Sequence, residues 1–397
     1  MLNLKYKKNS IFLFAFLFLC MTNFFQIFDL HLQYYWFLSF SIIAFTFVYL
    51  CINPFLKLGL DLIVLIGLNL FIMTYALFKG GLSFEALYEI YTILIVPLFG
   101  YFLGLRLNLR SFISIFYYCL LIVLLLNFIY LLVSVDSIRG FSGFLPSTNR
   151  LGAMSSLCSL LFFFIYHFTK EKKFIFISIL SFATLIFSAH RAGILALFIS
   201  FTIFLIQVIK YQNLLIIIKK YLLFFLIFSI ILLIFIPESN VFKKTFRSGE
   251  VDILQVHDSG RSEVWSMIGD NIRNDYDNSK YAQLLLGNGL VLSKLDGWHG
   301  EWQQDHFEVP HNEYLRLFLE IGFLGLFVFL YLIYRIMVPL SKLQKVNSGV
   351  RFVNLGIPLL FHYLIIFGFT NLLYHSYSYN LLLFIFIGAL KKNAFKV

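Results

Sequence analysis

The sequence predicts an all-α protein, a polytopic bundle of transmembrane helices with one large external loop. Three observations predict it. The chain is 60% hydrophobic and 13% charged, about half the charge of an ordinary soluble domain. Its apolar stretches repeatedly approach the roughly 20 residues that cross a bilayer, and they run continuously instead of alternating, which selects helices over a β-barrel. The apolar runs stop for a long interval between Pro237 and Asn312, where charges, glycines, Trp265, Trp298 and Trp302 collect. Residues 1–397 are therefore read as a single membrane domain, with 237–312 as its external loop.

Twelve spans are expected, at about 10–28, 33–52, 58–78, 86–105, 112–135, 149–169, 173–188, 192–209, 221–236, 313–338, 352–373 and 376–390. The seventh and twelfth are short for a full crossing, so the count lies between ten and twelve. The first run follows Lys5, Lys7 and Lys8 in the manner of a signal peptide. No small-residue cleavage site follows it cleanly and a second run comes at once, so it is read as a retained helix.

Charge sets the expected orientation. With both termini cytoplasmic, the short inner connections hold thirteen basic residues, among them Arg106, Lys170, Lys219, Lys220 and Arg335, and the tails hold six more. That is nineteen of the 31, the bias expected of cytoplasmic segments. The net charge of +11 then reflects orientation, and no nucleic-acid partner is needed to explain it. The external loop has twelve acidic residues against seven basic ones. Cys20, Cys51, Cys119 and Cys158 lie in or beside apolar runs, with neither a disulfide framework nor zinc-ligand spacing.

Candidate chemistry gathers on the outer face. Arg191, in Ser188-Ala189-His190-Arg191-Ala192-Gly193, sits between two apolar runs. It reads either as a snorkelling anchor or as a phosphate clamp, since a guanidinium fork matches phosphate oxygens. Arg261 opens an expected amphipathic helix, Ser262 to Asn274, and reads as a second clamp or as a solvated side chain. His311 follows Pro310, Asn312 can cap the next helix, and Glu313 stands in its first turn. A helix N-terminus disfavours imidazolium, so His311 is a candidate general base. The competing reading is a capping-region histidine without chemistry. Trp298 and Trp302 would share one face of a helix and stack on sugars, or anchor the loop at the interface. Glu85 and Glu89, one turn apart at the outer start of the fourth span, could meet an arginine or a sugar hydroxyl. His362 and Asn371 read as bundle-packing polar residues. His299, Glu301, Asp305 and His306 match no metal-ligand spacing, and no metal or cofactor is expected.

Four short motifs carry a resemblance. They are Arg139-Gly140 with Pro146-Ser147-Thr148-Asn149-Arg150-Leu151-Gly152; Ser188 to Ala192; Gly260-Arg261 to Trp265; and Leu286-Gly287-Asn288-Gly289, followed by His311-Asn312-Glu313-Tyr314-Leu315 and by Gly322 and Gly325. In these motifs, and in having about twelve spans with one large late loop, the chain resembles the O-antigen polymerase (Wzy-type) and O-antigen ligase superfamily of bacterial polytopic glycosyltransferases. The likeness covers about residues 135 to 330, and the first five spans share only hydropathy.

The resemblance implies a metal-independent, inverting glycosyl transfer at the outer face of the bacterial inner membrane, with a glycan on undecaprenyl pyrophosphate as donor. It implies His311 as the base that activates the acceptor hydroxyl, and Arg191 and Arg261 as pyrophosphate ligands. Asn149, Arg150 and Asn312 would assist, and His190, beside Arg191, is a second candidate base. A chain-length-regulating partner is also implied. The expected activity is polymerisation of lipid-linked repeat units of O-antigen, capsule or exopolysaccharide; the alternative is ligation to lipid A-core. A lipid-linked oligosaccharide flippase would show an internal repeat and mid-membrane charge, and a structural or sensor protein would not need Arg191 or His311.

Overall fold

The computed structural model describes residues 59–133, 148–188, 190–209, 261–290, 312–338, 354–369 and 377–394. The spans expected over 10–28, 33–52 and 221–236 lie outside these residues. Among the described residues the secondary structure is helical, without β-strands. Among these residues, five helices are long and apolar enough to cross a membrane: α1 (Leu60–Gly80), α4 (Leu109–Val133), α5 (Thr148–Thr169), α7 (Arg191–Ile209) and α10 (Glu313–Met337). The others are α2 (Phe84–Ile90), which runs through a π-helical turn at Tyr91–Ile95 into α3 (Val96–Arg106), then α6 (Lys172–Phe187), α8 (Arg261–Asp277), α9 (Tyr281–Leu286), α11 (Gly356–Phe369) and α12 (Tyr377–Ala394).

Helix α5 is the centre. Its Phe162, Phe163 and Phe164 point in successive directions round the helix and are all buried, as expected of a helix enclosed on every side. It forms a hairpin with α6, where Ser178 Oγ donates to Ser159 O at 2.8 Å, and runs parallel to α7, with Phe163 against Phe201 and His167 against Phe204. Lipid gives helices no hydrophobic reason to pair, so close contacts depend on small residues. The α3–α12 contact shows this: Gly104 and Gly388 face each other so closely that a Cβ on either would meet the other helix's backbone. These helices also run parallel, and Lys391 Nζ donates to Tyr101 Oη at 2.6 Å.

The remaining pairs fix the directions. Helices α1 and α10 are antiparallel, joined by Asn69 to Val328 O (3.4 Å) and by the Asp61–Arg335 pair. Helices α10 and α11 are antiparallel, with Tyr314 Oη donating to Leu364 O (2.9 Å) at one end and Gly356 packed on Met337 O at the other. Asn354 N donates to Gln207 Oε1 (2.7 Å), which sets α11 antiparallel to α7. Each pair has the relative direction that the expected order of spans requires. The starts of α2, α5, α7, α10 and α12 therefore share one end, here called the Asn312 end. Arg106, Lys170, Lys172, Lys173, Arg335, Lys391 and Lys392 lie at the other, the Asn354 end.

Candidate functional site

Helix α10 is broken near its start. Gly322 has φ 71° and ψ −180° inside an otherwise helical run, which deprives the Leu319 and Glu320 carbonyls of their usual acceptor role within the helix. The segment Leu286-Gly287-Asn288-Gly289-Leu290 fills the break. Asn288 N donates to Leu319 O (2.8 Å) and Gly289 N to Glu320 O (3.0 Å), while Leu290 N reaches Ala76 O on α1 (3.1 Å). Lys79 Nζ donates to Gly287 O at 2.5 Å. Gly287 and Gly289 both have positive φ, and a Cβ on Gly80, Gly287, Gly289 or Gly322 would run into facing backbone. The glycines of this motif thus serve a three-way backbone junction of α1, α10 and the loop.

One turn nearer the end lies a buried charge cluster. Asn312 caps α10, its side chain accepting from Tyr314 N (3.0 Å) and Leu315 N (3.2 Å), as the sequence leads one to expect. Arg316, 1% exposed, pairs through Nε with Glu313 at 2.7 Å and through Nη1 with Glu89 of α2 at 2.9 Å. Glu320, also fully buried, is within its electrostatic reach. Glu89 does meet an arginine, as one reading of the sequence anticipates; the Glu85 side chain lies outside the description. The π turn follows directly. Val96 N–H returns to Tyr91 O, and Pro97 has no N–H to offer the same turn. The Thr92 carbonyl instead accepts from Asn380 Nδ2 of α12 at 3.4 Å. One extra residue in a helix turns the following face by about 100°, so Glu89 can point into the bundle while α3 keeps its glycine face on α12.

A second polar group links α5, α11 and α12. His362, wholly buried, bonds Tyr379 Oη through Nδ1 (2.8 Å) and Ser156 Oγ through Nε2 (3.1 Å), in keeping with a bundle-packing role. Beside it on α11, the Tyr363 hydroxyl is buried without a hydrogen-bond partner among the described residues. His190 is buried at the start of α7, where Gly193 N donates to its Nδ1 at 3.1 Å. In the neutral ring the proton is then on Nε2. The ring fits because Gly152 of α5 lies against it; a Cβ there would overlap the imidazole.

The structure thus brings together Asn149 and Arg150 in the first turn of α5 with His190 and Arg191 at the start of α7, and places Asn312 at the same end. Asn149 and Arg191 are exposed and Arg150 half-buried. Arg261 opens α8, which matches the helix expected over Ser262 to Asn274. His311, Trp298, Trp302, His299, Glu301, Asp305, His306 and Asn371 lie outside the described residues. Sequence reasoning passed over Arg316 and Glu320. Their signal was present: Glu313, Arg316 and Glu320, spaced three and four apart, put three charges on one face of an apolar 25-residue helix. No protein-family model matches the chain, and no curated protein matches it significantly.

Proposed function

We propose that this protein is a membrane glycosyltransferase that polymerises oligosaccharide repeat units carried on undecaprenyl pyrophosphate, at the outer face of the bacterial cytoplasmic membrane. The observation that carries the reading is the convergence at one end of the bundle. Segments of three of the four motifs, at Asn149–Gly152, His190–Ala192, Leu286–Gly289 and Asn312–Leu315, lie there; Gly152 packs on His190, and Asn288 N and Gly289 N bond the Leu319 and Glu320 carbonyls of α10. Among the described residues five helices begin at that end, and a helix start carries about half a positive charge that favours anions. Arg106, Lys391 and Lys392 stand at the opposite end, as residues of a cytoplasmic face would.

In this reading the acceptor hydroxyl attacks the anomeric carbon of the donor sugar, the bond from that carbon to the pyrophosphate oxygen breaks, and the anomeric configuration inverts. His311 takes the hydroxyl proton. Arg191 and Arg261 steady the negative charge that grows on the departing pyrophosphate, a task suited to fixed guanidinium groups in a water-poor setting. His190, whose Nδ1 accepts from Gly193 N–H, has no lone pair left in the neutral ring, so in this reading His311 and not His190 is the base.

The test is chain length in cells. Arg191→Ala and His311→Ala are each expected to cut long-chain glycan by about 100-fold or more, with normal amounts of protein in the membrane. Unaltered glycan length in both variants would remove the assigned roles. Single repeats left on the acceptor mark loss of a polymerase, whereas acceptor without any repeat marks loss of a ligase.

A further inference from the structure

We propose that the Glu89–Arg316–Glu313 ion-pair network is a positioning element that holds the start of α10 for turnover; this rests on the glycosyltransferase reading above. Glu89, Arg316 and Glu313 are 0%, 1% and 1% exposed, so none of them reaches a glycan at the surface. They act through what they hold. Arg316 is one turn from the Asn312 cap, and its bond to Glu89 ties that turn to α2, 227 residues away in sequence. Tyr314 Oη ties the same turn to α11, and the Leu319 and Glu320 carbonyls tie the next turn to the loop at Asn288 and Gly289. The first two turns of α10 are thereby fixed from three directions.

Stability alone does not account for such a network. A buried ion pair is commonly replaceable by apolar side chains of similar volume without loss, because desolvation offsets the attraction. Here the carboxylates of Glu89, Glu313 and Glu320 all lie within electrostatic reach of the one Arg316 guanidinium. A second feature points the same way. The π turn at Tyr91–Ile95 comes directly after Glu89, and such turns sit preferentially where a helix must re-aim a residue for a task. A rigid start to α10 matters in a transfer reaction because a displacement of about 1 Å in a reacting group costs on the order of 100-fold in rate.

The experiment uses the full-length protein in lipid nanodiscs with a purified undecaprenyl-pyrophosphate-linked repeat unit. Glu89→Gln and Glu313→Gln keep shape and remove charge. Each is expected to lower kcat about 10-fold or more, to leave KM for the lipid-linked repeat within about 2-fold, and to lower the thermal midpoint far less than Arg316→Met does, since the guanidinium keeps a carboxylate partner. Glu89→Asp, which keeps the charge, is expected to recover part of the lost kcat. Combining Glu89→Gln with Glu313→Gln is expected to cost little more than either alone, since the two serve one unit. Wild-type kcat in either single variant overturns the proposal. So does a loss of kcat that merely follows a loss of folded protein, or the failure of both variants to accumulate, since the network would then belong to folding. Arg191→Ala, run in parallel, separates the two claims. If it is inactive while Glu89→Gln is normal, the positioning role falls and the transferase reading stands; if the wild-type protein itself extends nothing, the transferase reading falls.

Discussion

Gly287→Val and Gly322→Val are each expected to prevent the protein from accumulating in folded form. The two glycines are reciprocal: a Cβ on Gly287 would occupy the Glu320 carbonyl, and one on Gly322 would occupy the Leu285 carbonyl. Both obstacles are backbone, so no side-chain rotation relieves them. The φ values of 76° and 71° add about 1–2 kcal/mol for a side chain with a Cβ, and more for a β-branched one. Displacing the loop would also break the hydrogen bonds from Asn288 N and Gly289 N. That strands buried carbonyls, at about 1–3 kcal/mol apiece. The total, about 4 kcal/mol or more, is a large share of the stability of an ordinary domain. Gly67→Ala and Gly269→Ala are the controls. Nothing stands within 4 Å of a Cβ at either helical site, and alanine is the better helix former by about 0.5–1 kcal/mol. Membrane-fraction abundance and the thermal midpoint in detergent report the difference.

Arg316→Met is expected to be the most damaging change of a charged residue. It leaves Glu89, Glu313 and Glu320 without their guanidinium in the bundle interior, and breaking a buried pair from one side costs about 3–5 kcal/mol. Arg335→Met makes the comparison sharp. Its pair with Asp61 is 38% and 53% exposed at the helix ends, and exposed pairs contribute about 0–1 kcal/mol. A thermal midpoint that falls steeply for Arg316→Met and barely for Arg335→Met would establish that burial, not the mere presence of an ion pair, decides the cost. Adding Glu89→Leu to Arg316→Met should restore part of the loss, because one stranded charge is then removed.

Much of this organisation is legible in the sequence, and the rest is hidden for definable reasons. The apolar runs announce the helices, Asn312 announces the start of α10, and Arg261 announces α8, because each rests on local pattern. The Leu286–Gly289 motif can be seen as unusual from its glycines alone. Its purpose cannot, because the facing break at Gly322 lies 35 residues later and the third party, Gly80, two hundred residues earlier. Glu89 can be recognised as needing a cation. Arg316 is harder to see, since it lies within a run apolar enough to be read simply as a span, and a hydropathy window averages away the charges that define the site. The turn of α2 into α3 is a tertiary matter: Pro97 explains why the ladder is interrupted, but the rescue of Thr92 O by Asn380 depends on α12, at the far end of the chain. His190 was legible as a chemical group, yet its proton placement depends on Gly193 and its burial on Gly152 of another helix.

The central claim is that the Asn312 end of this bundle joins lipid-linked sugars. The most direct measurement incubates the purified, reconstituted protein with an undecaprenyl-pyrophosphate-linked repeat unit and a strong chelator, and resolves the products by size. The account predicts a ladder of extended glycans from the wild-type protein and unextended repeat from His311→Ala. A ladder of equal length from His311→Ala, or extension by the wild type only when a divalent metal is restored, would contradict it.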